Sequence, residues 1–479
     1  QKIIPVLTVS DRKTVDQLLD YLNEKNFQDV FILSKQEDLI RYVHEQNCIL
    51  RGILDRTEEA GNPDELSALC NACGIRVLLL GEDVPGSLVS ELENRQTTVW
   101  LQQAFQEKEL AVRFHRMLTS GAMGMIVDRA DALRCVMSVY EDQTQLHTPR
   151  LLAYGYDNLY FWNSMEAAEA AADVHADGIV LDVFMTKDRQ FVAISEREIE
   201  HSSCDLSGNI EDYTWEELRH IRFNRDAKLR HKGSRLTRLT DFFQALAYRD
   251  IRLYLVVYED DAWVIDMLRD LVREAGMERR VVYVVGGTAQ IQNIRHKIPG
   301  AAILNRGLYD TPQNTKLSLP EILMNVQLYN TGFMPRYQRT EAFFTTMYAL
   351  WCRGIPIQPY YFDNWEDLIA FFLGGAAGMV TNQAERMNSW MRALLSAEEV
   401  IHLTAGQTRE IGAEMLTYGG RRERVRPEIQ ILEGQLKADG NRLTAEKAGK
   451  GYVMLWYTFE IEDGLYYRKY TQPVPVVSE

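Results

Sequence analysis

Most of the chain alternates short apolar runs with amphipathic segments in which apolar residues recur every three or four positions. This rhythm predicts buried parallel strands joined by helices, and right-handed crossovers would curl such a sheet toward a barrel. In residues 1–148 we expect six strands, which is two fewer than a closed (β/α)₈ barrel needs. The six runs are IIPVLTV, DVFILS, LRGILD, IRVLLL, TTVWLQQ and GMIVDR.

Residues 149–396 repeat the rhythm with a full complement of strands. One run, QFVAIS, has the pattern of a hairpin, so seven or eight strands are left for the barrel itself. The predicted fold class is therefore α/β, with a (β/α)₈ TIM-type barrel preceded by a partial α/β barrel-like domain. The expected strands are RLLAYG, GIVLDV, QFVAIS, IRLYLVV, RVVYVV, AAILNR, IPIQPYY and GMVTN.

The two α/β regions are related to each other by an internal repeat. VWLQQAFQEKELAVRFHRMLTSGAMGMIVDRADAL parallels IQPYYFDNWEDLIAFFLGGAAGMVTNQAERM, since both run from an aromatic strand through a helix to a Gly-Met strand and a polar loop. We therefore expect the first region to correspond to barrel strands three to eight, without the opening two.

Residues 397–479 change to alternation with period two, punctuated by turn signals such as Asp463-Gly464. This pattern predicts a small all-β sandwich. The segment LTAEKAGKGYVML resembles bacterial Ig-like modules of surface proteins. That resemblance implies an extracellular or cell-surface location for a bacterial protein.

The net charge of the chain limits the kinds of binding partner that we expect. The formal net charge of the 479 residues is −15, which disfavours nucleic acid and anionic membrane surfaces. No apolar run is long enough to span a membrane. The chain begins at Gln1 without a Met, so we expect sequence to be missing at its ends. Cys70 and Cys73 form a C-x-x-C at a helix end closed by Gly74, and we interpret the pair as structural.

Residues 151–223 contain, in order, the short motifs Ala176-Asp177-Gly178, Asp182-Val183, Thr186-Lys187-Asp188, Ser207-Gly208 and Trp215-Glu216-Glu217-Leu218. This ordered set resembles the N-terminal signature of glycerophosphodiester phosphodiesterases. Near the end of the predicted barrel, GIPIQPYYFDN and GAAGMVTNQAE resemble the closing strands of that family. The resemblance implies a TIM barrel with phosphoric diester hydrolase activity.

The same resemblance implies two histidines and a divalent cation, Ca²⁺ or Mg²⁺, held by carboxylates at the barrel mouth. Most of these residues are absent. The two histidine positions fall on Tyr154 and Ser195, the Glu of Pro-Glu-Asn-Thr falls on Trp162, and the Glu of Glu-x-Asp falls on Val180. Asn163 of the Pro-Glu-Asn-Thr motif is kept, but of the carboxylates only Asp182 is retained, and one carboxylate is not an ordinary site for either cation.

We therefore expect a noncatalytic barrel that acts as a surface binding or scaffold module, with no cofactor. One alternative is a divergent metal-dependent phosphodiesterase of glycerophosphodiesters or lipid headgroups, with Asp182 as the metal ligand and Glu196 and Glu259 as nearby acids. Whether the chain is an enzyme is left open by the sequence.

A second alternative is binding of a polyol or glycan at an aromatic mouth. Aromatic residues concentrate there at Tyr154, Tyr156, Tyr160, Phe161, Trp162, Tyr360, Tyr361 and Phe362. The predicted pocket consists of Tyr154, Trp162, Asp182, Ser195, Glu196, Glu259 and Tyr360.

Overall fold

The protein has three regions in a computed structural model that describes residues 3–59, 61–104, 108–155, 160–199, 206–223, 234–306, 319–362 and 364–479. The first two regions are α/β and the third consists of β-sheets. None of the described helices is both long enough and apolar enough to cross a bilayer.

The first region is a curled sheet of six parallel strands in sequential order. All six predicted runs form these strands. Phe31 and Trp100 pack together inside the curl, with ring centroids 5.0 Å apart. The strands β1–β6 are Val6–Thr8, Phe31–Ser34, Arg51–Arg56, Ile75–Gly81, Thr98–Gln102 and Gly124–Ile126. The helices α1–α6 are Arg12–Glu24, Glu37–Gln46, Pro63–Ala72, Gly86–Glu93, Leu110–Thr119 and Ala130–Met137.

The second region is a closed parallel barrel. Its strands β7–β19 are Arg150–Ala153, Gly178–Met185, Phe191–Ala193, Glu198–Ile199, Gly208–Asn209, Arg222–Phe223, Ser234–Arg235, Thr237–Arg238, Arg252–Val257, Val281–Val285, Ala302–Asn305, Gly332–Phe333 and Gly378–Thr381. Its helices α7–α14 are Met165–Asp173, Trp215–Leu218, Leu239–Leu246, Ala262–Glu274, Thr288–Lys297, Leu319–Leu328, Glu341–Trp351 and Trp365–Leu373.

Parallel pairing runs β7–β8–β15–β16–β17–β18 and returns from β19 to β7. The gap between β18 and β19 is filled by residues 357–360, which make parallel bridges from Ile357 to Phe333 and from Tyr360 to Arg336 and Val380. Pro356 and Pro359 lack the N–H groups that a continuous ladder would need, which explains why this seventh strand is broken into bridges.

Two details of the predicted strand set are settled by this pairing. QFVAIS supplies β9, which pairs antiparallel with β8 and lies outside the closed ring, so it is a hairpin strand. The strand β18 was missed, because two ladder residues between Thr331 and Met334 are too short a run to show a period. The eight-stranded barrel is therefore complete without QFVAIS.

The barrel strands are buried on both faces. Leu152, Val180 and Val256 point into the barrel, whereas Leu151, Ile179 and Leu255 pack against the surrounding helices. Helix α10 shows the matching amphipathic pattern, since it buries Val264, Ile265, Leu268 and Val272 on one side. Side chains fill the lumen, so polar groups are left to the two ends of the barrel.

The third region contains three sheets, two of three strands and one of five. The first strand, Met391–Ser396, pairs antiparallel with residues Ala413–Thr417, so the sheets include residues before 397. Tyr467 donates a hydrogen bond to the Met391 carbonyl at 2.6 Å and packs against Phe372 of the barrel. The strands β20–β30 are Met391–Ser396, Ile401–Leu403, Thr408–Glu410, Ala413–Thr417, Arg422–Val425, Glu428–Glu433, Leu436–Asp439, Arg442–Ala445, Gly449–Glu462, Leu465–Tyr470 and Val474–Ser478.

The two α/β regions meet at the N-terminal ends of their strands. Thr98, at the start of β5, donates to the Gly354 carbonyl at 2.7 Å, and Asn330 donates to the Ile75 carbonyl at 3.0 Å. Gln358 donates to Gln96 at 3.2 Å in the same interface. Because both sheets use their N-terminal ends here, their C-terminal ends point away from each other. The first region therefore does not supply side chains from its own strand ends to the second barrel's mouth.

Arg76 is the most heavily bonded side chain of this interface. It is 4% exposed and donates to the Gln327 side chain and to the Val326 and Thr331 carbonyls at 2.9–3.0 Å. Burial lowers the pKa of Arg76 to about 9. Hydrogen bonds from a charged donor are the stronger ones, so this residue is a main tie between the two α/β regions.

We predict that Arg76→Met lowers the free energy of unfolding by at least about 3 kcal/mol, because the acceptors on Gln327, Val326 and Thr331 lose their donor. Urea titration followed by circular dichroism measures the change. The matched control is Arg273→Met, since the Arg273 side chain is 62% exposed. Equal stability of the two variants would contradict this role for Arg76.

Candidate functional site

A single carboxylate lies at the centre of the second barrel's mouth. Asp182 is on β8, two residues after Val180, so both side chains point into the lumen. Asp182 is fully buried, at 0% exposure. It lies toward the C-terminal end of the strand, which is the end where TIM barrels place their functional groups.

Three neutral donors hold the Asp182 carboxylate. Tyr154 donates to one oxygen at 2.7 Å, Tyr258 donates to the other at 2.8 Å, and Asn163 donates to the first at 3.1 Å. The guanidinium of Arg306 lies 3.9 Å from the second oxygen. Both carboxylate oxygens are therefore engaged by protein groups, with one cation beside them.

Each donor is placed by the end of a barrel element. Tyr154 directly follows β7 and Tyr258 directly follows β15, which are the two strands that flank β8. Asn163 adopts a left-handed backbone conformation, with φ of 59°, which asparagine tolerates better than most residues. Its side-chain oxygen accepts from the Asp182 N–H at 2.7 Å, and its amide also donates to Ser195 at 3.0 Å.

The surroundings shift the pKa values of Asp182 and Tyr154. Burial raises the pKa of Asp182, and the hydrogen bonds from Tyr154 and Asn163 and the charge of Arg306 oppose that rise. Burial, together with the negative charge of Asp182, raises the pKa of Tyr154 well above its usual value. Tyr154 therefore remains a protonated donor at neutral pH and is poorly suited to removing a proton.

The donor set does not match a divalent cation. Ca²⁺ and Mg²⁺ require several oxygen ligands, usually including more than one carboxylate. Within the part of the chain that the structure describes, no three His, Cys, Asp or Glu side chains lie together closely enough to hold a metal ion. At Asp182 the neighbours are hydroxyl and amide donors and a guanidinium, which compete with a cation for the same oxygens.

A small cavity of about 270 Å³ opens beside this cluster and has aromatic walls. The Tyr154 and Trp162 rings lie 5.2 Å apart at 42°. Gly155 makes this packing feasible, because a Cβ there would lie 2.1 Å from the Trp162 ring. An adjoining cavity of about 290 Å³ shares Tyr154 and Trp162. The first cavity is lined by Tyr154, Trp162, Val180, Arg306, Met334, Arg336, Tyr360, Tyr361 and Val380.

Two arginines give the cavity a positive side. The guanidinium of Arg306 lies 5.3 Å from the Tyr360 ring centroid and 5.8 Å from that of Tyr258. Arg336 lies 4.4 Å from the centroid of the Tyr361 ring. Aromatic faces stabilise such cations and hold them in place. The cavity thus offers flat apolar walls together with guanidinium groups, a combination that suits a hydroxylated ligand carrying a negative charge.

The structure brings most of the predicted pocket together. Tyr154, Trp162 and Tyr360 line the cavity, Asp182 is the centre of the hydrogen-bond network, and Ser195 joins that network through Asn163. The two predicted acids do not share this arrangement. Glu196 is exposed on the surface.

Glu259 is half-buried, and burial raises its pKa. Its charged neighbours are Arg197, Glu211, Asp260 and Asp261, rather than Asp182. Of the aromatic residues expected at the mouth, Tyr156 lies outside the described residues.

Sequence reasoning missed Tyr258, Arg306 and Arg336. Each has a signal in hindsight, because each lies just after an inward-facing stretch of a barrel strand: Tyr258 follows β15, Arg306 follows β17 and Arg336 follows β18. Polar residues at the carboxyl ends of parallel strands meet at the barrel mouth. Matching against family positions alone overlooked them, since they replace no expected residue.

The closed barrel and its strand-end polar cluster define a TIM-barrel domain. Residues 155–284 match the model of the Glycerophosphoryl diester phosphodiesterase family. The chain therefore carries a glycerophosphodiester phosphodiesterase-family domain, flanked by the open α/β sheet and the β-sheet region.

The chain is also similar to known proteins. The glycerophosphodiester phosphodiesterase of Caldanaerobacter subterraneus is 22% identical over 241 residues, which are 48% of this chain and 92% of the relative. The Bacillus altitudinis enzyme is 38% identical over 65 residues, 14% of this chain and 26% of the relative. The crystal structure of glycerophosphodiester phosphodiesterase from Thermotoga maritima covers 50% of this chain and 96% of its own, with 18% identity and a TM-score of 0.41.

We predict that Tyr154→Phe lowers the free energy of unfolding by about 1–3 kcal/mol, because a buried carboxylate loses one of its donors. Urea titration measures the change. Tyr361→Phe is the matched control, since Tyr361 is 53% exposed. Unchanged stability of Tyr154→Phe would show that Asp182 does not depend on this hydroxyl.

Proposed function

We propose that the second barrel is a noncatalytic binding module that retains the phosphodiesterase-family scaffold. The observation that carries this proposal is the saturation of Asp182 by Tyr154, Tyr258 and Asn163, with Arg306 beside it. A guanidinium fixed at this point supplies the positive charge that a metal ion would supply in a hydrolase. It cannot activate water as a metal ion does, because it offers no coordination position.

The missing proton-transfer groups support the same proposal. Tyr154 and Ser195 stand at the two family histidine positions, and neither titrates near neutral pH in its ordinary state. Loss of one general acid or base usually costs about 10²–10⁴-fold in rate. Loss of both together with the carboxylate ligands leaves no evident route to phosphodiester hydrolysis through this mouth, and we expect no cofactor.

The ligand class follows from the cavity walls. Tyr154, Trp162 and Tyr360 provide faces on which a polyol or sugar ring packs, while Arg306 and Arg336 favour a phosphate or carboxylate. We therefore propose a small anionic polyol as the ligand, with the arginines selecting the charged end. A glycerophosphodiester is also a small anionic polyol. We therefore propose that the barrel still binds the substrate class of the family but does not hydrolyse it.

The other two regions fit a scaffold that displays this mouth. The open α/β sheet packs on the opposite end of the barrel, and the β-sheet region packs on its side through Phe372 and Tyr467. Among the described residues, neither region contributes a side chain to the aromatic cavity. We propose an extracellular or cell-surface location, on the resemblance of the third region to Ig-like surface modules.

We predict no hydrolysis of glycerophosphocholine above the buffer rate with Ca²⁺, Mg²⁺ or Mn²⁺ added. Release of choline, measured by a coupled assay with a glycerophosphodiester phosphodiesterase as positive control, is the readout. Turnover by the parent protein that disappears in Asp182→Ala would overturn the noncatalytic proposal and favour the divergent phosphodiesterase.

We predict that sn-glycerol 3-phosphate binds the mouth, and that Arg336→Met weakens its affinity by about tenfold, equivalent to ~1.4 kcal/mol. Isothermal titration calorimetry measures both affinities. Trp162→Ala should weaken the affinity for glycerol 3-phosphate through lost ring contact, while Tyr248→Ala, a fully exposed aromatic on the surface, serves as control. Binding that is equal in all four proteins would place the ligand elsewhere.

A further inference from the structure

A larger cavity, of about 750 Å³, lies where the three regions meet, far from the barrel mouth. Its walls include Glu93 of α4, the connecting segment 145–149, Arg150 and Asp177 of the barrel, and Arg392 and Lys469 of the β-sheet region. Arg150 begins β7, whereas Tyr154 follows its other end, so this cavity and the mouth are at opposite ends of the barrel. No function proposed above uses it.

Lys469 is a buried cation in this wall. The residue is 4% exposed, and its ammonium group donates to the Thr148 hydroxyl at 3.1 Å. Among the described residues no carboxylate oxygen lies within ion-pair distance of it. Burial, with a smaller contribution from the positive charge of Arg392, lowers the pKa of Lys469 to about 7. A buried ammonium without a counter-charge is costly, so its retention points to a partner that is not part of the chain.

Arg150 is a second buried cation that lines the same cavity. It is 6% exposed, and its Nε atom has no hydrogen-bond partner within the described part of the chain. The nearby acids are engaged by other groups. Asp177 accepts from Arg392 and from the Leu151 N–H, and Glu93 lies 2.7 Å from His147. Both oxygens of Asp177 are therefore engaged, whereas Glu93 is engaged through one of its two oxygens.

Glu398, Glu399 and Glu414 also line the cavity, and two of them form ion pairs. Glu398 forms an ion pair with Arg409 at 2.9 Å, and Glu414 forms one with Arg422 at 3.3 Å. The negative charges of Glu398 and Glu414 are therefore largely neutralised by their own arginine partners. Arg150 and Lys469 are the two buried basic side chains among the described residues of the wall, at 6% and 4% exposed.

Unpaired acceptors accompany these cations. The Gln145 side-chain oxygen and one oxygen of Glu93 are buried without a hydrogen-bond donor among the described residues. Gln145 is fixed in this position, because its amide group donates to the Phe372 carbonyl at 2.8 Å. A ligand that carries hydroxyl groups besides its negative charge would satisfy both kinds of wall group.

We propose that this junction cavity binds a small organic anion, a carboxylate or phosphate bearing hydroxyl groups, through Lys469 and Arg150. The ligand would bridge the connecting segment, the barrel and the β-sheet region, since residues from all three contact the cavity. This site is independent of the function proposed for the barrel mouth.

Thermal melting in inorganic phosphate and in acetate, against chloride at equal ionic strength, tests the proposal. We expect a saturable rise of the melting temperature for the parent protein with at least one of the two anions. Lys469→Met should diminish the rise, while Lys450→Met, at an exposed lysine of β28, should keep it in full. The mouth variant Arg336→Met removes only the contribution of the mouth and should keep the part of the rise that depends on Lys469, so failure at one site is distinguishable from failure at the other.

A parent protein without any anion-dependent rise would overturn the proposal, and so would an undiminished rise in Lys469→Met. If Lys469→Met does not fold, crystals of the parent grown with selenate provide the decision. An anomalous peak within hydrogen-bond distance of the Lys469 ammonium supports the site, and its absence there at full selenate occupancy elsewhere overturns it.

Discussion

A carboxylate buried inside a barrel loses its hydration, and protein groups have to replace the lost hydrogen bonds. At the mouth of the second barrel, the surrounding side chains do this for Asp182. In water, the charge would be solvated, whereas in the lumen it depends on fixed donors. Tyr154, Tyr258 and Asn163 supply those donors, and Arg306 supplies an opposite charge. A hydrolase would meet the same requirement with a metal ion and further carboxylates. On our account, this chain has exchanged a metal-centred site for a hydrogen-bonded one.

The architecture around the barrel follows from which strand ends are occupied. The open six-stranded sheet covers the N-terminal end of the barrel through Arg76 and Thr98, so the C-terminal end remains available. Because the two α/β regions are joined in this way, the C-terminal ends of their strands point in different directions. The strand ends of the first region therefore cannot contribute side chains to the mouth of the second barrel. The β-sheet region instead packs on the side of the barrel, and the contact among all three regions creates the junction cavity.

Much of the fold could be predicted from the sequence, because buried parallel strands consist of continuous apolar runs. All six strands of the first region and the hairpin character of QFVAIS came from this signal. The strand at Gly332–Phe333 escaped it because two ladder residues have no period, and prolines interrupt its neighbour. The Ig-like character of the third region stays a prediction, since its observed sheets establish only that it is rich in β-structure.

The site was predictable where a residue occupies a position of the family signature, and Tyr360 was predicted from the concentration of aromatic residues instead. Tyr154, Trp162, Asp182 and Ser195 were found by matching such positions, and the structure places them together. Tyr258, Arg306 and Arg336 were not found, because none of them stands at a position that the family resemblance names. Glu259 was expected near Asp182 from its place in the sequence, yet its charged neighbours are those of an outer loop. Proximity along the chain does not establish which way a side chain turns after a strand end.

The most direct test of the central claim is a crystal structure of the protein soaked with Mn²⁺, with anomalous scattering used to locate the ion. Our account predicts no manganese peak at the Asp182 carboxylate, with Tyr154, Tyr258 and Arg306 still around it. A well-occupied ion bound by Asp182 and two or more further protein oxygens would contradict the account, and would favour a metal-dependent phosphodiesterase instead.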